Sequence, residues 1–147
     1  MQRYTSKPLS LPIDPDRVKR LDVEFEDVRR DLGSFSAFVY VTGPDAQVPD
    51  DAGRDHDGFV GAISLFAQSG CWGEEGHCDW EREPVSPFDR RAEHHLDPVD
   101  LTVDVTKAAK KLGSLQSLIV TVLAYPAGNP EGDGVLKFER LTALAYQ

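Results

Sequence analysis

Short runs of alternating apolar and polar residues, broken by connections rich in glycine, proline and aspartate, constrain this chain most. The clearest is VKRLDVEFEDV, Val18 to Val28, with Leu21, Val23 and Phe25 on one face and Asp22, Glu24 and Glu26 on the other. Successive side chains leave a pleated backbone on opposite sides, so a period of two predicts a half-buried strand. After a turn at DLGS, the run SFSAFVYVT puts Phe35, Ala37, Val39 and Val41 on one face and Phe38 and Tyr40 on the other. Apolar residues on both sides predict a strand covered on both faces, paired antiparallel with the first run.

Further along, FVGAISLFA (Phe59–Ala67) is rich in strand formers, with Gly61 marking a bulge or a close packing contact. VDLTVDV (Val99–Val105) alternates with Val99, Leu101, Val103 and Val105 inward. TKAAKKLG (Thr106–Gly113) predicts two helical turns, with Asp104 or Thr106 as N-cap, lysines toward the C-terminus and Gly113 as the stop. SLIVTVLAY (Ser117–Tyr125) is the most apolar run and predicts a central strand, and VLKFERLTALAY (Val135–Tyr146) predicts the last one. Roughly six strands with one short helix predict an all-β fold, an antiparallel β-sandwich of jelly-roll type.

Residues 1–17 hold Pro8, Pro12 and Pro15 and little periodicity, and predict an extended arm or linker before a sandwich domain over 18–147. A chain of 147 residues is long enough for a hydrophobic core without obligatory cross-links. Its formal charge of −9, with no basic stripe, argues against nucleic acid and against an anionic membrane surface. The N-terminus lacks the apolar core of a secretory signal, so the chain is expected to be cytoplasmic by default, the alternatives being a signal already removed or a piece of a longer chain.

Gly43 to Gly58 is an acidic loop whose Asp50, Asp51, Asp55 and Asp57 do not follow EF-hand spacing, which predicts a solvated connection. Gly70 to Pro98 is the chemically rich stretch, with both cysteines, both tryptophans and His77, His94 and His95. The separation of Cys71 from Cys78 exceeds that of ordinary zinc knuckles, and the intervening glycines allow a disulfide-closed loop or a close dithiol, with independent thiols as the alternative. Thiolate and imidazole at Cys71, His77 and Cys78, with His94 or His95, suit Cu(I) or zinc. His94 and His95 cannot both reach one ion from an extended strand, because neighbours point to opposite faces. The sequence has no nucleophile elbow, no His-Glu-x-x-His pair and no phosphate loop. That leaves no catalytic residue to name, and a Cys78–His94 pair is the residual enzymatic alternative. Trp72 and Trp80 either anchor a partner or pack the loop onto the sheet.

SFSAFVYVT, DGFVGAISLFAQSGCWGEEGHCDW, HHLDPVDLTVDVTKAAKKLG, SLIVTVLAY and VLKFERLTALAY together resemble the C-terminal domain of the tyrosinase and polyphenol oxidase family. In plant enzymes that module is named for its Lys-Phe-Asp-Val motif. The resemblance runs from about Val18 to Tyr146. It implies a sandwich packed over the entrance of a dicopper enzyme, keeping the oxidase latent, with related accessory proteins helping copper loading. It also implies a placeholder side chain in the substrate pocket, for which Trp72, Trp80, Phe88 and Leu96 are the loop candidates. A dicopper centre is built from histidines on a helical bundle, and this chain has 4 histidines and almost no predicted helix. The expectation is therefore a non-catalytic module whose partner is a tyrosinase-like oxidase domain, in the same chain or another. Copper handling by the cysteine–histidine loop is the alternative.

Overall fold

A computed structural model describes residues 1–11, 14–30, 32–66, 88, 98–113, 116–127 and 136–147. Among them seven strands form two antiparallel sheets. The strands are β1 (Gln2–Thr5), β2 (Arg20–Val28), β3 (Phe35–Thr42), β4 (Phe59–Leu65), β5 (Val99–Asp104), β6 (Ile119–Pro126) and β7 (Arg140–Tyr146). One α-helix, α1 (Thr106–Lys111), lies between β5 and β6, and a single 3-10 turn, Pro15–Arg17, precedes β2. The first sheet has the order β1-β6-β3-β4 and the second β5-β2-β7. The fold is the all-β antiparallel sandwich that the alternation predicts, open rather than closed into a barrel.

The expected pairing of β2 with β3 does not occur. β2 pairs with β5 and β7, whereas β3 pairs with β4 and β6 in the other sheet. The connection between them crosses from one layer to the other. Alternation specifies which face of a strand is apolar and says nothing about which strand lies alongside it. Stacked this way, Leu21, Val23 and Phe25 of β2 meet Phe35, Ala37, Val39 and Val41 of β3 in one core, joined by Val120 and Val122 of β6. Phe25 is fully enclosed, and burial of such a side chain stabilises the fold by roughly 1.5–3 kcal/mol.

Val28 shows how the core alternation is kept in phase. It is even-numbered where Leu21, Val23 and Phe25 are odd, yet it is fully buried. The β2–β5 register runs Phe25↔Leu101 and then Val28↔Val99, so β2 carries one extra residue. Asp27 takes up that residue at φ 55°, and its N–H donates to Asp100 Oδ1 at 3.0 Å. Aspartate tolerates the left-handed region better than most residues. The bulge turns Val28 back into the core.

The N-terminal segment expected as an arm is extended, but it is paired into the sheet. β1 lies against β6 with Gln2↔Ala124 and Thr5↔Thr121. Beyond it, Ser6 N–H donates to Val120 O at 2.9 Å, and Leu9 and Leu118 exchange backbone hydrogen bonds at 2.8 and 2.9 Å. An edge strand needs only alternate N–H groups, so Pro8 falls between bonded positions without breaking the pairing. β6 becomes an interior strand, as its apolar run predicts.

Gly61 fulfils both expectations. The β3–β4 register steps from Val39↔Gly61 to Tyr40↔Phe59, and a Cβ on Gly61 would stand 3.3 Å from Val103 Cγ1 of the opposite sheet. In α1 the expected cap is displaced by one residue. Val105 holds the N-cap position without a side-chain bond, and Asp104 Oδ1 instead accepts the Thr106 N–H at 2.9 Å. Gly113 ends the helical segment at φ 68°, with its N–H donating to Lys110 O at 3.2 Å.

The Gly43–Gly58 loop is more than a solvated connection. It lays Val48 and Ala52 onto the outer face of the first sheet, where they form a second core with Tyr40 and Leu123. The Tyr40 hydroxyl lies 2.7 Å from Ala52 O and 3.3 Å from Gly53 O. Arg3 of β1 reaches over to Val48 O and Asp50 Oδ1, each at 2.7 Å. The two-faced apolar pattern of β3 finds its explanation here, since one face meets the central core and the other meets this loop.

Candidate functional site at the loop-bearing end

The topology sorts the connections between the two ends of the sandwich. β2 ends where β3 begins, β4 ends where β5 begins, and β6 ends where β7 begins, all at one end. The strand ends that flank residues 29–34, 66–98 and 127–139 therefore lie together. The acidic 43–58 loop and α1 occupy the other end.

The 66–98 connection leaves an edge strand of one sheet, β4, and returns to an edge strand of the other, β5. Phe66 is 87% exposed at its start, and Phe88 is 85% exposed within it. Phe88 is the one partner-contact candidate among the described residues, and it stands on the surface. Trp72, Trp80 and Leu96 lie outside the described residues, as do Cys71, His77, Cys78, His94 and His95. The readings of those residues as metal ligands, and of Cys71 with Cys78 as a disulfide, concern positions outside that set. Among the described residues no three His, Cys, Asp or Glu side chains form a group able to hold a metal ion.

What the structure does place at this end is a stitched floor. Gln2 clasps Leu136 at two points, its side-chain amide donating to Leu136 O at 2.9 Å and its carbonyl accepting the Leu136 N–H at 3.0 Å. Arg29 N–H donates to Lys137 O at 2.9 Å, and Ala127 N–H donates to Ser34 O at 2.8 Å. Phe138 stands edge-on to Phe25 and to Tyr4, with centroids 5.2 and 4.8 Å away. Burial pushes the Tyr4 hydroxyl pKa up. Glu26 accepts from Arg140 and Thr142, and these bonds hold its carboxyl below the usual carboxylate range.

Above this floor lies a cavity of about 390 Å³ lined by Asp27, Arg29, Pro98, Lys137, Phe138 and Glu139. Two cations and two carboxylates around an aromatic ring make this a mixed, amphipathic recess. Pro98 is the last residue of the stretch that the sequence singles out. The other lining residues escaped sequence reasoning because they belong to a bulge and to a strand approach that look ordinary in the sequence. The sole signal was an aspartate, Asp27, at the out-of-phase step before Val28.

No family model matches this sequence, and no curated protein matches it. Comparison with solved structures gives a clear likeness of fold. It covers 98% of this chain and 24% of latent aurone synthase, a polyphenol oxidase, from its natural source, with a TM-score of 0.53 and 8% identity. The fold matches a quarter of that oxidase. Recombinant latent aurone synthase gives the same coverage, TM-score and identity, and its co-crystal with hexatungstotellurate(VI) gives 0.51 at 8% identity. At this identity the likeness concerns the fold, and this chain spans about a quarter of the length of those proteins.

Proposed function

We propose that this chain is a non-catalytic β-sandwich module that docks on a tyrosinase-like dicopper oxidase domain and shields it or helps it mature. The observation that carries the reading is the coverage: nearly the whole chain, 98%, is matched by only 24% of a latent polyphenol oxidase. We take the matched quarter to be the C-terminal module of that enzyme. The 4 histidines of this chain support a role outside the copper chemistry, because a dicopper centre needs more imidazoles than these. The loop-bearing end is the docking face in this reading. Phe66 and Phe88 supply exposed aromatic area, and the Arg29–Lys137–Glu139 rim supplies polar contacts.

The test is direct. A dicopper oxidase domain stripped of its own C-terminal module is titrated with this chain while diphenol oxidation is followed, and complex formation is measured by light scattering. Saturable loss of activity with a stoichiometric complex supports a shielding lid. A gain in copper content when the two are expressed together supports a maturation role. If neither a complex nor a change in activity or copper loading is seen, the proposal fails.

A further inference from the structure

At the end of the sandwich away from the loops, a second cavity of about 530 Å³ separates the 43–58 loop from α1. Its volume falls in the range of small-molecule sites. The loop wall carries His56 and Asp57, and the helix wall carries Ala108, Lys111 and Leu112.

His56 is held in one orientation. Its Nδ1 accepts the Gly58 N–H at 3.0 Å, and its ring stands edge-on to Tyr40 at 5.5 Å. With Nδ1 occupied as an acceptor, the neutral ring carries its proton on Nε2 and offers a donor. The loop is fixed around it, since His56 N–H donates to Gly53 O, Phe59 N–H to His56 O and Val41 N–H to Gly58 O. The loop wall thus carries a fixed imidazole donor and the exposed Asp57 carboxylate, and the helix wall carries the exposed Lys111.

We infer that this cavity binds a small zwitterion with an apolar side chain, of the α-amino acid class. The ligand carboxylate meets the Lys111 ammonium and His56 Nε2–H, and the ligand ammonium meets the Asp57 carboxylate. Its side chain rests on Ala46, Ala108 and Leu112, the last 40% exposed at the cavity edge. A simple carboxylate would leave Asp57 facing a like charge, and a simple amine would do the same to Lys111. The zwitterion alone answers both. It also carries no net charge, so the −9 of the chain neither steers it away nor draws it in. This inference is independent of the docking proposal, because it concerns the opposite end of the sandwich.

The experiment is a titration of the full isotope-labelled chain with L-leucine, followed through the amide resonances of Gly58, Ala108 and Leu112. Isocaproate and isoamylamine serve as comparison probes, each keeping the apolar body and one of the two charges. Saturable shifts confined to these amides are expected with leucine, with each single-charge probe weaker by roughly three- to tenfold. The exposed-wall variants Asp57→Asn and Lys111→Gln leave the fold intact and weaken leucine by a similar factor. Absence of saturable shifts overturns the inference. So does a single-charge probe that binds as well as leucine, or unchanged binding in both variants.

Discussion

Replacing Tyr40 by phenylalanine isolates the bond that ties the 43–58 loop to the sheet. Tyr40 is fully buried, and its hydroxyl lies 2.7 Å from Ala52 O, whose residue is 7% exposed. The ring of Tyr40→Phe keeps its contacts with Phe59 and His56, so the change removes only the oxygen and its hydrogen bond. An acceptor left unsatisfied in a buried site costs about 1–2 kcal/mol. In a domain of this size that cost lowers the melting temperature by roughly 2–8 °C. Urea unfolding measures the total loss, and hydrogen exchange at Ala52 and His56 locates it. Those amides donate to Pro49 O and Gly53 O within the loop, and they should exchange faster in the variant while Val39 and Val122 keep their relative protection. A variant as stable as the parent with unchanged loop exchange would show that the hydroxyl does not hold the loop. Val48→Ala is the companion perturbation. It deletes two methyl groups at a 3% exposed site, and the expected loss is about 1.5–2.5 kcal/mol with the same local pattern.

Other perturbations have equally definite outcomes. A Cβ added at Gly58 would stand 2.9 Å from Val41 O, a backbone atom, so Gly58→Ala should destabilise by about 1–3 kcal/mol in urea unfolding, and a neutral result would refute the tight approach. Asp104 accepts the side-chain and backbone donors of Thr106, which keep its carboxyl below the usual carboxylate range. A carboxyl depressed in the folded state adds stability above its unfolded value of about 4 and loses it as pH falls through the folded value. Thr106→Val should therefore cost more stability at neutral pH than in acid below the folded value, and equal losses at both would count against the bond. For the copper alternative, metal analysis after exposure to reduced copper should find stoichiometric uptake that disappears in Cys71→Ser/Cys78→Ser. Retention of the metal by that variant would remove these ligands from the scheme.

Among the features legible beforehand, Gly61 and Gly113 stand out, since each announced a local constraint that the structure meets, at the sheet–sheet contact and at the end of α1. Less legible were Asp27, Lys137 and Glu139, which come together only because a bulge and a neighbouring strand approach converge beside Pro98. Their separation along the chain hides them from any reading of spacing. The cysteine–histidine stretch that the sequence advertises most openly lies outside the described residues, apart from Phe88 and Pro98.

By itself the sequence determined the fold class, the faces of the main strands and the interior position of β6. Those properties follow from local periodicity and burial, because an apolar stripe of period two has to be covered. Tertiary structure decided which strands became neighbours. It sent β2 and β3 to opposite sheets, drew residues 2–9 onto β6 and folded an acidic loop over Tyr40. Alternation is indifferent to partner and layer, so these choices rested on long-range packing and on satisfying backbone hydrogen bonds, neither of which is written in any one segment.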